Sequence, residues 1–231
     1  MTSTSVDRVK VLVLGDSGVG KSSVVQLICS GKPTNRAPAS TIGCNVEVKL
    51  HEYKQGTDQQ STYFVELWEI GGNTGHVNAR RVFYNSVHGI VLVHDLTNSK
   101  SHDHLRMWLA DAVTGRSASE FDAEMFADLQ VPVLVIGTKA ARVKGQLRRG
   151  LHIADLCGAE QIFLDSAFIS GEHNSGLVPG SSNAVKLSHF FDKVIEKRYY
   201  SSKNVQIPQS VGMFGDRRRP ANSPRCLQHL D

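Results

Sequence analysis

Short apolar runs alternate with amphipathic ones along the chain. Val9-Lys10-Val11-Leu12-Val13-Leu14 is apolar and rich in β-branched residues, the pattern of a buried strand. Residues 22–30 carry Val24, Val25, Leu27 and Ile28, which suits a helix packed on a sheet, and Gly31, Pro33 and Pro38 end it and open a polar loop. Residues 46–50 alternate, residues 63–68 are more continuously apolar, and Gln55-Gly56-Thr57-Asp58 between them reads as a hairpin turn. Residues 89–93 and 131–136 predict two further buried strands, and Ile162-Phe163-Leu164 a short last one. Helical periodicity lies between, over 78–86, 102–113 and 184–200. In the last of these, Val185, Leu187, Phe190, Phe191, Val194 and Ile195 share a face. Strands alternating with helices predict an α/β fold, a mostly parallel six-stranded sheet with helices on both faces.

Three stretches break the rhythm. Residues 114–128 are a polar insertion, 170–183 are rich in Gly and Ser and read as a mobile loop, and 204–231 bear Pro, Ser and Arg and read as a disordered tail. The predicted organisation is one domain over residues 1–203 and a tail over 204–231.

Bulk properties narrow the class. A length of 231 residues suits one domain with long loops, and 40% hydrophobic with 21% charged residues is the balance of a globular chain. A net charge of +4 is too mild to argue for nucleic acid. No apolar run approaches the ~18 residues of a membrane span. Cys29, Cys44, Cys157 and Cys226 are scattered, so no zinc pair and no redox CxxC is present. That usage and the polar start at Met1 to Asp7 point to a reducing, cytoplasmic setting.

The chemistry concentrates at Gly15-Asp16-Ser17-Gly18-Val19-Gly20-Lys21-Ser22, directly after the first strand and before the first helix. This is the G-x-x-x-x-G-K-[ST] pattern. Gly15 and Gly20 let the backbone turn, Asp16, Ser17, Gly18 and Val19 span the curve, and successive N–H groups point inward at phosphate oxygens. The N-terminus of the following helix, at Ser22 and Ser23, adds to the field. Lys21 reaches the β- and γ-phosphates, and the Ser22 hydroxyl is a magnesium ligand. The cradle alone does not choose the base, so an ATP-using enzyme stays open at this point.

In this form the loop resembles that of the Rab-type Ras-like small GTPases. Thr41-Ile42-Gly43 resembles their first switch element, and residues 84–97 resemble the segment that forms their fourth strand. Residues 7–14, Gly71-Gly72, residues 83–87 and the stretch from Gly180 to Tyr199 resemble a Rab-like branch of the superfamily. The resemblance covers roughly residues 7–200 and implies a P-loop NTPase fold of the G-domain kind, with GTP or GDP and Mg²⁺ as cofactors. It implies a magnesium shell of Ser22, Thr41 and Glu69, and a γ-phosphate contact from the Gly72 N–H. It places Thr138, Lys139, Ser166 and Ala167 at the base. It further implies a homodimer, other small GTPases or their chaperones as partners, and a part in regulating the prenylation of Ras-type proteins.

Several positions depart from the family pattern. Glu69 stands where an aspartate is usual, one methylene longer. Asn73 falls where a glutamine orients the attacking water, which predicts weak hydrolysis. Asn73 itself then reads as an ordinary loop residue. Ala141 replaces the aspartate that reads guanine, and Phe168 replaces a lysine of the last nucleotide loop. Cys226 is too far from Asp231 for a C-terminal prenylation box, so no lipid anchor is expected. A nucleotide-degenerate scaffold and a conventional vesicle-traffic switch are the competing readings. His102-Asp103-His104 reads as a solvated cap rather than a metal site, and Arg217-Arg218-Arg219 with Arg225 as a solvated tail.

Overall fold

The computed structural model describes residues 7–33, 38–73, 75, 77–114, 126, 129–143, 153–165 and 177–201. Six strands form one sheet: β1 (Arg8–Leu14), β2 (Cys44–Tyr53), β3 (Ser61–Ile70), β4 (Gly89–Asp95), β5 (Val133–Thr138) and β6 (Glu160–Leu164), in the order β2-β3-β1-β4-β5-β6. All neighbours pair in parallel except β2 with β3, which close an antiparallel hairpin from Cys44↔Ile70 to Tyr53↔Ser61. The exception follows from the connection, because a turn over residues 54–59 can join only antiparallel strands.

Alternation along β1 divides the core. Val9, Val11 and Val13 point to one face, with Val65, Leu67, Val91, Val93, Leu134 and Ile136, and are covered by α1 (Lys21–Ser30) and by the helix at Ser182–Ile195. Leu12 and Leu14 point to the other, with Ile90, Leu92 and Val135, and are covered by Leu105, Trp108 and Leu109. Both faces of a parallel sheet are buried, so its central strands read as continuous apolar runs. Each fully buried aliphatic side chain contributes roughly 1.5–3 kcal/mol.

The helices depart from the expected ranges for local reasons. The segment expected over 78–86 is α2 (Val77–Arg80) and a 3₁₀ turn (Arg81–Phe83), closed where Tyr84 N–H donates to the Arg81 carbonyl. The one expected over 102–113 is two helices, α3 (Ser99–Asp103) and α4 (Leu105–Thr114), broken at His104. Asn98 caps the first by accepting from Lys100 N–H, so the helix starts earlier than the apolar pattern does. A short helix, α5 (Ile153–Cys157), had no periodic signal and buries only Ile153 and Ala154. The last helix, α6 (Ser182–Ile195), is capped by the Ser181 hydroxyl and widens into a π turn over Glu196–Tyr200. That turn lays Tyr199 and Tyr200 against Tyr63 and Tyr53 of the hairpin.

Of the polar insertion only Thr114 and Phe126 are described. Residues 170–176 of the Gly/Ser-rich stretch and the whole tail at 204–231 lie outside the described residues. Among the described residues no helix is long and apolar enough to cross a membrane.

Candidate functional site

The sheet delivers the cradle at the carboxyl end of β1. Gly15 is at φ 147°, and a Cβ there would sit 2.1 Å from the Val93 carbonyl oxygen, so only glycine fits. Gly18 and Gly20 follow at φ 77° and 96°. Gly20 is the N-cap of α1 in the left-handed region, and no side chain caps that end. No acidic residue stands in the first turn. The leading N–H groups of α1 are therefore left for an anion. Val19 and Ser23 are buried beneath the loop.

Lys21 is 5% exposed, and its Nζ donates to the carbonyls of Gly15 (2.9 Å) and Asp16 (2.8 Å). Burial pulls its pKa down to about 8, against the attraction of Glu69 and Asp16. A buried ammonium satisfied only by loop carbonyls is poised to exchange them for phosphate oxygens.

Glu69, near the end of β3, is 1% exposed and pairs with Val13 of β1 and Asn45 of β2. Its Oε1 accepts from the hydroxyls of Ser22 (2.5 Å) and Thr41 (2.8 Å), which lie 3.4 Å from each other. Its Oε2 is buried with no hydrogen-bond partner. The three residues expected at the metal thus converge from α1, the first switch loop and β3. Oxygen donors of this kind, with one carboxylate oxygen left unsatisfied, suit a hard divalent cation.

The backbone at Gly71-Gly72 closes the other wall. A Cβ on Gly72 would lie 2.4 Å from Ser17 N and 2.5 Å from the Asp16 carbonyl carbon, and one on Gly71 would lie 2.6 Å from the Thr41 oxygen. A cleft of about 590 Å³ opens here, lined by Ser17, Thr41, Gly72, Asn73, Arg80 and His104 among others. Asn73 is exposed, and its Oδ1 accepts from Gly75 N–H at 2.9 Å. Its amide oxygen serves a local turn.

On the base side, Thr138 is fully buried and its hydroxyl donates to the Val19 carbonyl at 2.6 Å. Its side chain ties β5 to the cradle. Lys139 stands at φ 59°, with Nζ donating to the Gly18 carbonyl at 3.2 Å and to the Asp95 carboxylate. Burial raises the pKa of Asp95, but the hydrogen bonds from Lys139 and Thr97 outweigh it and leave the carboxyl below its ordinary value. The Ala141 N–H donates to Asp165 Oδ2 at 2.6 Å. Ser166, Ala167 and Phe168 lie outside the described residues.

Sequence reasoning missed the contacts behind the cradle. The Asp16 carboxylate accepts from Trp108 Nε1 (2.8 Å) and lies 2.6 Å from His104 Nδ1. His104 is thus a contact of the cradle and not a solvated cap, and His102 packs edge-on against His94. Arg80 lies 4.1 Å over the Trp108 ring and donates to Asp111 at 2.9 Å. Arg81 donates to the same carboxylate at 2.9 Å, and Tyr84 OH at 3.3 Å. The available signal was Asp111 itself, a charge three residues after Trp108 within the apolar stripe of α4.

Comparison with known proteins agrees with this geometry. Residues 10–123 match the family model described as Ras of Complex, Roc, domain of DAPkinase. The chain is 48% identical to Rab-like protein 3 of Bos taurus, covering 98% of this chain and 99% of that protein. It is 47% identical to Rab-like protein 3 of Homo sapiens over 93% of this chain and 94% of that protein. A more distant relative, the small GTPase-like protein LIP2 of Arabidopsis thaliana, is 32% identical over 85% of this chain and 66% of its own length.

Proposed function

The chain belongs to the Rab-like protein 3 family of small GTPases, and from that premise we propose that it holds a guanine nucleotide with Mg²⁺ and hydrolyses it slowly, as a regulatory binding module. The observation that carries the reading is the convergence of Ser22, Thr41 and Glu69 beside Lys21, with Glu69 Oε2 buried and unpartnered. The backbone N–H groups of residues 16–22 and the Lys21 ammonium bind the phosphates. Ser22, Thr41 and Glu69 would hold the metal, which would supply positive charge to the phosphates. Gly72, with its backbone against Asp16 and Ser17, is positioned to report the third phosphate.

Slow hydrolysis is supported by Asn73. Its side chain is one methylene shorter than glutamine, and its Oδ1 is taken up by Gly75 N–H. Phosphoryl transfer depends on such placement and on charge stabilisation. Single-turnover hydrolysis of preloaded GTP tests this. Turnover at the rate of an activator-stimulated small GTPase overturns it.

The resemblance to the Rab-like branch also motivates a cytoplasmic homodimer that acts on the prenylation of other small GTPases, through those proteins or their chaperones. A partner-binding role is supported by β2, the sheet's edge strand, where Val46, Val48 and Leu50 are 42%, 53% and 61% exposed on one side. Light scattering at cellular concentration checks the dimer, and a monomer mass refutes it. The nucleotide-degenerate scaffold remains the second reading, because Ala141 withdraws the usual guanine-reading carboxylate.

A further inference from the structure

The loss at Ala141 raises the question of what selects the base. The ends of β5 and β6 lie side by side, with Thr138 paired to Leu164. Asp165 is the next residue after that pair, at the carboxyl end of the parallel sheet, where ligands of such folds bind. The 3₁₀ turn over Ala140–Arg142 follows β5, with Lys139 before it. The Asp165 carboxylate accepts from the Ala141 N–H at 2.6 Å, so a carboxylate is held at the backbone of the position that lacks one. Its other oxygen, Oδ1, is buried and has no hydrogen-bond partner. A buried carboxylate oxygen left unpaired is costly, and it persists where a ligand supplies the donor.

We infer that Asp165 reads the guanine edge in place of an aspartate at position 141. The inference rests on the guanine-nucleotide reading above. A carboxylate offers two oxygens and about four acceptor sites. Oδ2 keeps its bond from Ala141 N–H, and the remaining capacity accepts from guanine N1–H and the N2 amino group. Adenine presents an acceptor at N1 and only C–H at C2, so it meets the same carboxylate with repulsion and an unpaired oxygen. Selectivity then comes from the second strand of the pair, β6, rather than from the loop after β5.

The test compares the full chain and Asp165→Asn by titration with GDP, ADP and xanthosine diphosphate. The asparagine is isosteric and can still accept from Ala141 N–H, so a merely structural role for Asp165 leaves base preference unmoved. Its amide, however, donates where xanthine carries a C2 carbonyl and guanine an amino group. The expected result is a GDP over ADP preference of at least about a hundredfold in the wild type, the value of one to two charge-assisted hydrogen bonds. Asp165→Asn should lose that preference and gain at least about tenfold for xanthosine diphosphate. This gain cannot come from misfolding. A wild type that prefers GDP, with an Asp165→Asn variant that prefers it equally, overturns the inference and leaves guanine binding standing. A wild type that binds GDP and ADP alike overturns the inference while keeping the phosphate cradle. A wild type that binds none of the three overturns the guanine-nucleotide reading itself.

Discussion

Replacing Glu69 separates the architecture of the site from its charge. Glu69→Ala removes two hydroxyl hydrogen bonds to a carboxylate, at 2.5 and 2.8 Å, each worth roughly 1.5–3 kcal/mol. The gross loss is roughly 3–6 kcal/mol. Against it stands the relief of Oε2, a buried oxygen without a partner, at roughly 1–3 kcal/mol. The net destabilisation of the protein is therefore about 0–5 kcal/mol, centred near 2.5, and a domain of this size loses about 2–4 °C of Tm per kcal/mol. Glu69→Gln keeps the shape and leaves a carbonyl oxygen to accept both hydroxyls, so its melting point should fall by less. Both variants lose the anionic oxygen that suits a hard cation. Nucleotide affinity measured with and without magnesium should rise with the ion in the wild type and change little in either variant. A Glu69→Gln protein with the wild-type magnesium dependence would refute the assignment, whatever its melting temperature.

Three further outcomes follow from the same geometry. Asp111→Ala strips the partner from Arg80, which is 10% exposed and already carries one unpaired buried nitrogen, and should cost about 3 kcal/mol in urea denaturation; an effect below about 1 kcal/mol would mean the clamp is spread over other contacts. Because burial holds the Lys21 pKa at about 8 and a bound phosphate would raise it, affinity for nucleotide should hold below that pH and fall above it by up to about tenfold per unit, and a flat profile into the alkaline range contradicts this. His88 accepts from Lys10 N–H at 2.9 Å, and burial, with the charges of Arg198 and Lys10, lowers its pKa to about 4. Its contribution is full above its unfolded value, about 6.5, and is lost as pH falls toward about 4; discounted for its partial exposure this is roughly 1–2 kcal/mol, and His88→Gln should flatten that part of the pH–stability curve.

The sheet was legible because parallel strands buried on both faces leave unbroken runs of Val, Ile and Leu, as in β1, β4 and β5. The cradle was legible because its glycines answer a backbone need, seen in the 2.1 Å clearance at Gly15. Ser22 and Glu69 are far apart in sequence, so their meeting was available only through resemblance. The break at His104 is not legible because periodicity continues through it, while His104 meets Asp16, a residue distant in sequence. Asp165 gave no signal at all, since a carboxylate after a short strand is common and its importance comes from Ala141, a neighbour only in space. The tyrosines after α6 likewise read as helix, and only the hairpin they pack on explains the widened turn.

Isothermal titration of the full chain with GTP, GDP and ATP in the presence of magnesium, repeated on Lys21→Ala, tests the central claim most directly. GTP and GDP should bind at micromolar affinity or tighter, at least about 8 kcal/mol, with ATP far weaker and Lys21→Ala silent toward all three. Equal affinity for ATP and GTP, no heat with any nucleotide, or undiminished binding by Lys21→Ala would contradict it.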